Sequence, residues 1–128
     1  MKHVLVEWTD DLPEHVLGDT DGVRHIRMAK DQLQVERRCT LTHELIHIER
    51  GDQGCEARAE DAVRRETARR LIPIRALGDA VVFWGDDLAA LADELWVDED
   101  TMQTRLDTLH PSERGYLKRR VALRDGAA

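Results

Sequence analysis

His43-Glu44-Leu45-Ile46-His47 is the stretch that decides how the rest of the chain is read. Two histidines four residues apart stand almost one above the other on a helix face, so both imidazoles can address one ion. Neutral imidazole nitrogen binds zinc at about 2.0–2.1 Å, and a catalytic zinc commonly has three protein ligands with a fourth position left to water. Glu44 lies about 100° round the helix from His43, so it can reach that water without joining the ligands, as a general base must. The flanks carry the pattern on a helix from about Gln34 to Arg50, with Leu41, Leu45 and Ile48 at helical spacing and Gly51 as the stop signal. This context favours a metal site over two solvated histidines on an amphipathic helix.

Two histidines on one helix need a third ligand from elsewhere. The nearest source is a second helix, about Cys55 to Leu71, which ends before Pro73. Its candidates are Cys55, Glu56, Glu60 and Asp61, and spacing alone does not choose among them. Glu60 lies far enough along for the chain to turn and run back beside the first helix. Cys55 and Glu56 sit where the helix starts, and an acidic residue is favourable there. Asp61 suits a partner that orients an imidazole. A His-His-Cys site through Cys55 is the chemical rival. Cys39 stands one turn before His43, but ligands at i, i+4 and i+8 on a straight helix climb about 12 Å, too far to meet at one ion. Cys39 is therefore expected to pack beneath the site.

At 128 residues the chain is read as one domain, a metal-site core over 1–80 and a helical extension over 81–124. The formal charge of −7 leaves no electrostatic footprint for nucleic acid, and 4% aromatic residues disfavour base stacking. The sequence contains no apolar run of about 18 residues to span a membrane. The opening Met1-Lys2-His3-Val4-Leu5-Val6-Glu7 lacks the apolar core and cleavage site of a signal peptide. Two cysteines make no disulfide framework, so a cytoplasmic location is expected.

Along the chain, residues 3–8 read as a strand, and residues 9–13 and 17–22 as turns. A second strand is expected over Val23–Met28, with Ile26 and Met28 on one face. In zinc peptidases such a strand commonly borders the cleft, where substrate adds to it as an extra strand. His25 on it is a candidate substrate-side group, with an exposed strand histidine as the simpler reading. In the second helix Val63, Thr67, Ala68 and Leu71 form an inward stripe and Arg64, Arg65, Arg69 and Arg70 mostly an outward, solvated face. A short helix over about Ile74–Ala80 leads to Val81-Val82-Phe83-Trp84. Gly85-Asp86-Asp87 then opens a helix over Leu88–Leu95, and Asp98 caps another over Glu99–Leu109. This pair has a helix-turn-helix pattern. Yet Asp98, Glu99, Asp100 and Asp107 against Arg105 would be repelled by phosphate, so the pair reads as a helical prop or a protein-docking surface. A last helix runs from His110-Pro111 to about Arg120 and carries Tyr116. Its phenol is a candidate oxyanion donor, though a core or surface tyrosine is the simpler reading. The fold class expected is α+β, predominantly helical, with a small N-terminal sheet.

Three stretches resemble the ImmA/IrrE metallopeptidases: Arg37-Arg38-Cys39-Thr40-Leu41-Thr42-His43-Glu44-Leu45-Ile46-His47, Glu60 through Ala68-Arg69-Arg70-Leu71-Ile72-Pro73, and Leu88-Ala89 through Leu95-Trp96-Val97 to Arg105-Leu106. The resemblance implies a small cytosolic zincin with a short sheet and a glutamate ligand on the helix after the motif. Glu60 matches that glutamate, which raises it above its rivals. It further implies a Zn2+ held by His43, His47 and Glu60, with Glu44 as catalytic base. The substrate implied is a helix-turn-helix transcriptional repressor, of a phage, a mobile element or a stress regulon. Where many relatives carry Ala-Asn-x-Phe-Ala, this chain has Val63-Arg64-Arg65-Glu66-Thr67. The rival class is a non-catalytic anti-repressor that docks, with a structural or vestigial zinc.

Overall fold

The computed structural model describes residues 3–52 and 57–126, with the backbone alone at 57 and 58. Among these residues the elements are β1 (Leu5–Thr9), β2 (Gly18–Thr20), β3 (His25–Ala29), α1 (Gln34–Arg50), α2 (Ala57–Leu71), α3 (Ile74–Trp84), α4 (Leu88–Leu95), α5 (Glu99–Asp107) and α6 (Pro111–Gly126). The fold is α+β and mostly helical, with a three-stranded sheet near the N-terminus. Two compact units divide it, Met1–Thr67 and Ala68–Ala128.

In the first unit the strand order is β1-β3-β2. β3 pairs in parallel with β1 (Val6 opposite Ile26) and antiparallel with β2 (Asp19 opposite Arg27). Ile26 and Met28 are fully buried on one face of β3, as their alternation predicts, and α1 packs on β2 and β3. The strand β2 was expected as a turn, because Gly18-Asp19-Thr20 has turn composition. Pairing overrides that propensity. Both Nε and Nη2 of Arg27 donate to the Asp19 carboxylate opposite, and the Thr20 hydroxyl donates to the His25 carbonyl at 2.6 Å. The Asp21 carboxylate closes the hairpin by accepting the N–H groups of Val23, Arg24 and His25 at 2.8–3.0 Å. Gly18 is needed for close approach: a Cβ there would stand 2.6 Å from Thr40 Cγ2 on α1.

The strand expected to border the cleft and take an added strand does not have the edge for it. β3 is central and both its edges are taken by β1 and β2, so it has no free edge for an added strand. The edge strand against α1 is β2. His25 sits across the sheet from β1, with its Nε2 3.6 Å from Glu7 Oε2.

The helix α1 has the predicted bounds. At its start the N–H of Leu33 donates to Glu36 Oε1 at 2.9 Å. At its end Gly51 adopts φ 72°, a left-handed conformation that glycine accepts without strain. The Gly51 N–H reaches the Ile48 carbonyl and the Asp52 N–H the His47 carbonyl, both at 3.0 Å. These two bonds make a Schellman turn, which folds the chain back over the last turn of the helix.

The second unit gathers α3–α6 around Ile72, Leu77, Leu91, Val97 and Met102. α3 continues through Trp84 rather than stopping near Ala80, and its end is marked by the Gly85 N–H on the Val81 carbonyl at 2.8 Å. Asp87 and Asp98 cap α4 and α5 by accepting the N–H of Ala90 (3.1 Å) and Thr101 (2.7 Å). α6 runs past Arg120 to Gly126. Tyr116 on it packs against Gly78 of α3 and accepts from Arg120 at 2.8 Å, a structural placement. Arg105, counted in the sequence only as the one basic charge against the acids of the α4–α5 pair, is 1% exposed. Its Nε donates to the Ile72 carbonyl at 2.8 Å, and its Nη1 and Nη2 donate to the two oxygens of Glu113 at 3.0 and 2.7 Å.

Candidate metal centre

The buried positions of α1 are Cys39, Glu44, Ile46 and His47, while Leu41, Leu45 and Ile48 are only half-buried. The helix thus turns chemistry, more than its leucines, toward the interior. Cys39 packs inside, as expected.

His43, His47 and Glu60 form a group that could hold a metal ion, with one ligand atom from each lying within 4.8 Å of the others. The contacts are more intimate than that. His43 Nε2 is 3.0 Å from Glu60 Oε2, and His47 Nε2 is 2.8 Å from Glu60 Oε1. Both imidazoles turn the same nitrogen to one carboxylate, with ring centroids 4.9 Å apart. Glu60 comes from the first turn of α2, which brings it back to the histidines.

The donor set fits a cation. Tetrahedral zinc with bonds near 2.05 Å separates its ligand atoms by about 3.3 Å, so the two contacts with Glu60 would open by about 0.3–0.5 Å, and the three ligand atoms, within 4.8 Å of one another, are in reach of one ion. Proton counting points the same way. The His47 side chain, 5% exposed, has a carboxylate at each nitrogen: Glu60 at Nε2 and Asp52 Oδ2 at Nδ1, 3.0 Å away. A neutral imidazole has one N–H, so it satisfies one of them and leaves a lone pair facing the other. A second ring proton or a cation between Nε2 and Glu60 resolves that conflict. Burial pushes His43 below its ordinary pKa, against the pull of Glu60, toward the neutral form a ligand needs.

Glu44 lines a recess together with Gly18, Asp19, Thr20, His47, Asp52 and Glu60. Its carboxyl is pushed up to about 7, first by burial, which His47 opposes and Glu60 and Asp19 assist. Such a value near neutrality suits a group that takes and returns protons.

Of the alternatives for a third ligand, Asp61 pairs with Arg65 one turn on, at 3.1 Å on an exposed face, while Cys55 and Glu56 lie outside the described residues. The carboxylate that meets an imidazole's far nitrogen is Asp52, not Asp61. Sequence reading missed Asp52. The signal was Gly51-Asp52 directly after the helix: a Schellman turn ending four residues past His47 returns its next residue to His47. Burial favours a higher Asp52 pKa, but hydrogen bonds from His47 and Arg50 outweigh it and hold the carboxyl below its usual range.

No family model matches the chain, and no curated protein or solved structure matches it.

Proposed function

We propose that the protein is a zinc-dependent metallopeptidase of the H-E-x-x-H type. The observation that carries this reading is the convergence of His43 Nε2 and His47 Nε2 on the two oxygens of Glu60, with Glu44 lining the recess beside them. His43, His47 and Glu60 would hold the ion. A bound zinc would supply Lewis acidity, polarising the scissile carbonyl and making water acidic. Glu44 does the proton work: it accepts a proton from the attacking water and returns it to the leaving amine. The free edge of β2 flanks the recess and offers backbone groups to an extended substrate.

The resemblance to the ImmA/IrrE peptidases supports a protein substrate, with a helix-turn-helix repressor as the first to test. The α4–α5 pair is then a support or docking element. Its Glu99 and Asp100 are exposed, which suits protein better than phosphate. A structural zinc in a docking anti-repressor is the rival, and a buried carboxyl lining the recess beside the ligands has no use there.

Zinc per chain, with cleavage of a peptide library read by mass spectrometry, tests the proposal in wild type, Glu44→Gln and Glu60→Ala. The expected result is one zinc in wild type and Glu44→Gln, loss of zinc in Glu60→Ala, and hydrolysis in wild type lowered about 10²–10⁴-fold by Glu44→Gln. Equal hydrolysis in wild type and Glu44→Gln would overturn the mechanism. Zinc without any hydrolysis, for the library or a repressor, would leave the docking reading.

A further inference from the structure

The carboxylate at the far side of His47 belongs to the end of the same helix. Gly51 in its left-handed conformation and the Asp52 N–H on the His47 carbonyl return the chain over the last turn. The Asp52 side chain then meets Nδ1 of that same histidine at 3.0 Å. Its Oδ2 also accepts from Arg50 Nε at 3.0 Å, so it is gripped from two sides and is only 17% exposed. Helix stability does not explain an aspartate here. The C-terminus of a helix carries negative partial charge and favours a cation, not a carboxylate.

We propose that Asp52 is a positioning residue: it holds His47 as the Nδ1–H tautomer and so keeps the Nε2 lone pair turned toward Glu60 and the metal. An imidazole free to flip about its terminal torsion would put Cε1 where Nε2 faces Glu60 and Cδ2 where Nδ1 meets Asp52. One free to change tautomer would place its proton where the ion belongs. Asp52 blocks both with one hydrogen bond, and its negative charge makes Nε2 a better donor. Arg50 fixes the carboxylate in turn. Because Gly51 aims Asp52, the helix stop is part of the site. The geometry stands on its own, and the effect on metal binding rests on the reading of the cluster as a metal centre.

Two readouts on the full chain test it. The first is nitrogen NMR of the His47 ring in metal-free protein, where Nδ1 is expected to carry a hydrogen-bonded proton that is lost in Asp52→Ala. The second is zinc affinity by chelator competition, expected to fall about 10- to 100-fold in Asp52→Ala and less in Asp52→Asn, which keeps an acceptor oxygen. A wild-type His47 found as the Nε2–H tautomer would overturn the proposal without any variant. So would an Asp52→Ala protein that keeps both the Nδ1 proton and wild-type affinity. If wild type takes up no zinc, the peptidase reading fails, and the ring signal of the metal-free protein still decides the role of Asp52.

Discussion

The Arg105–Glu113 pair of the second unit and the His43–His47–Glu60 group of the first both set a buried ionisable side chain against a partly exposed carboxylate, but they are made of different parts. Arg105 is always a donor and Glu113 always an acceptor at neutral pH. Three guanidinium nitrogens meet one backbone carbonyl and two carboxylate oxygens, and nothing more is called for. The first-unit group is richer in acceptors: Glu60 and Asp52 flank one imidazole with Glu44 beside them, and while Arg27 meets Asp19 and Arg50 meets Asp52, no arginine meets Glu60 among the contacts of the described residues. It is satisfied only by extra protons or by a cation. An ionic cluster that completes itself acts as a structural part, and one that is short of positive charge could hold a cation.

The sharpest way to break this distinction is to supply the missing charge. Zinc at about a thousandfold excess over its Kd should stabilise wild type against urea by about 4 kcal/mol, and Glu60→Ala should lose that gain. The same ion should leave the effect of Glu113 substitutions unchanged. Equal stabilisation of wild type and Glu60→Ala would erase the difference drawn between the two clusters.

Removing one partner of the self-contained pair should cost about 3 kcal/mol, because Glu113→Ala strands the buried Arg105 guanidinium. The pair also has a pH signature. Hydrogen bonds from Arg105, against a smaller opposing effect of burial and with help from the His110 N–H, bring the Glu113 carboxyl down from 4.5 to about 2. A depressed carboxyl stabilises the fold fully above its unfolded value and loses that contribution as pH falls toward the folded one. Urea stability of wild type should therefore fall more between about pH 5 and pH 2 than that of Glu113→Gln. Parallel curves for the two proteins would show that the pair does not behave as drawn.

These two clusters were unequally legible in the sequence. His43, Glu44 and His47 announce themselves because helix geometry is periodic, and the α1 bounds, the Gly51 stop and the Asp98 cap are local signals of the same kind. Glu60 was one of several candidates by spacing, and only the return of α2 to the histidines brings it to them. What stayed hidden was set by pairing across the fold. The role of Arg105 was hidden because its acceptors, Ile72 and Glu113, lie 33 and 8 residues away. Gly18-Asp19-Thr20 looked like a turn because the partner that makes it a strand, Arg27, is on β3. Asp52 lay between these cases, local in origin but visible only once the turn after Gly51 is followed through.

The wall of the recess gives a smaller test. Gly18→Ala puts a methyl 2.6 Å from Thr40 Cγ2 and 3.2 Å from the Arg27 carbonyl, so β2 must move off α1. Overpacking of this kind costs about 1–3 kcal/mol. Because Gly18, Asp19 and Thr20 line the recess with Glu44, the displacement should also raise KM for peptides more than it lowers kcat.

The smallest effect is expected at the cap of α5. Asp98 accepts the Thr101 N–H at 2.7 Å, and Asp98→Ala removes that acceptor from a helix of nine residues. The cost should be about 1 kcal/mol by urea unfolding, with zinc affinity unchanged. A matching loss of zinc would mean that the second unit's helix ends are coupled to the metal centre, and the two clusters could no longer be treated as independent. Additive effects of Asp98→Ala and Glu60→Ala, to within about 0.3–0.5 kcal/mol, would mark the two sites as energetically independent.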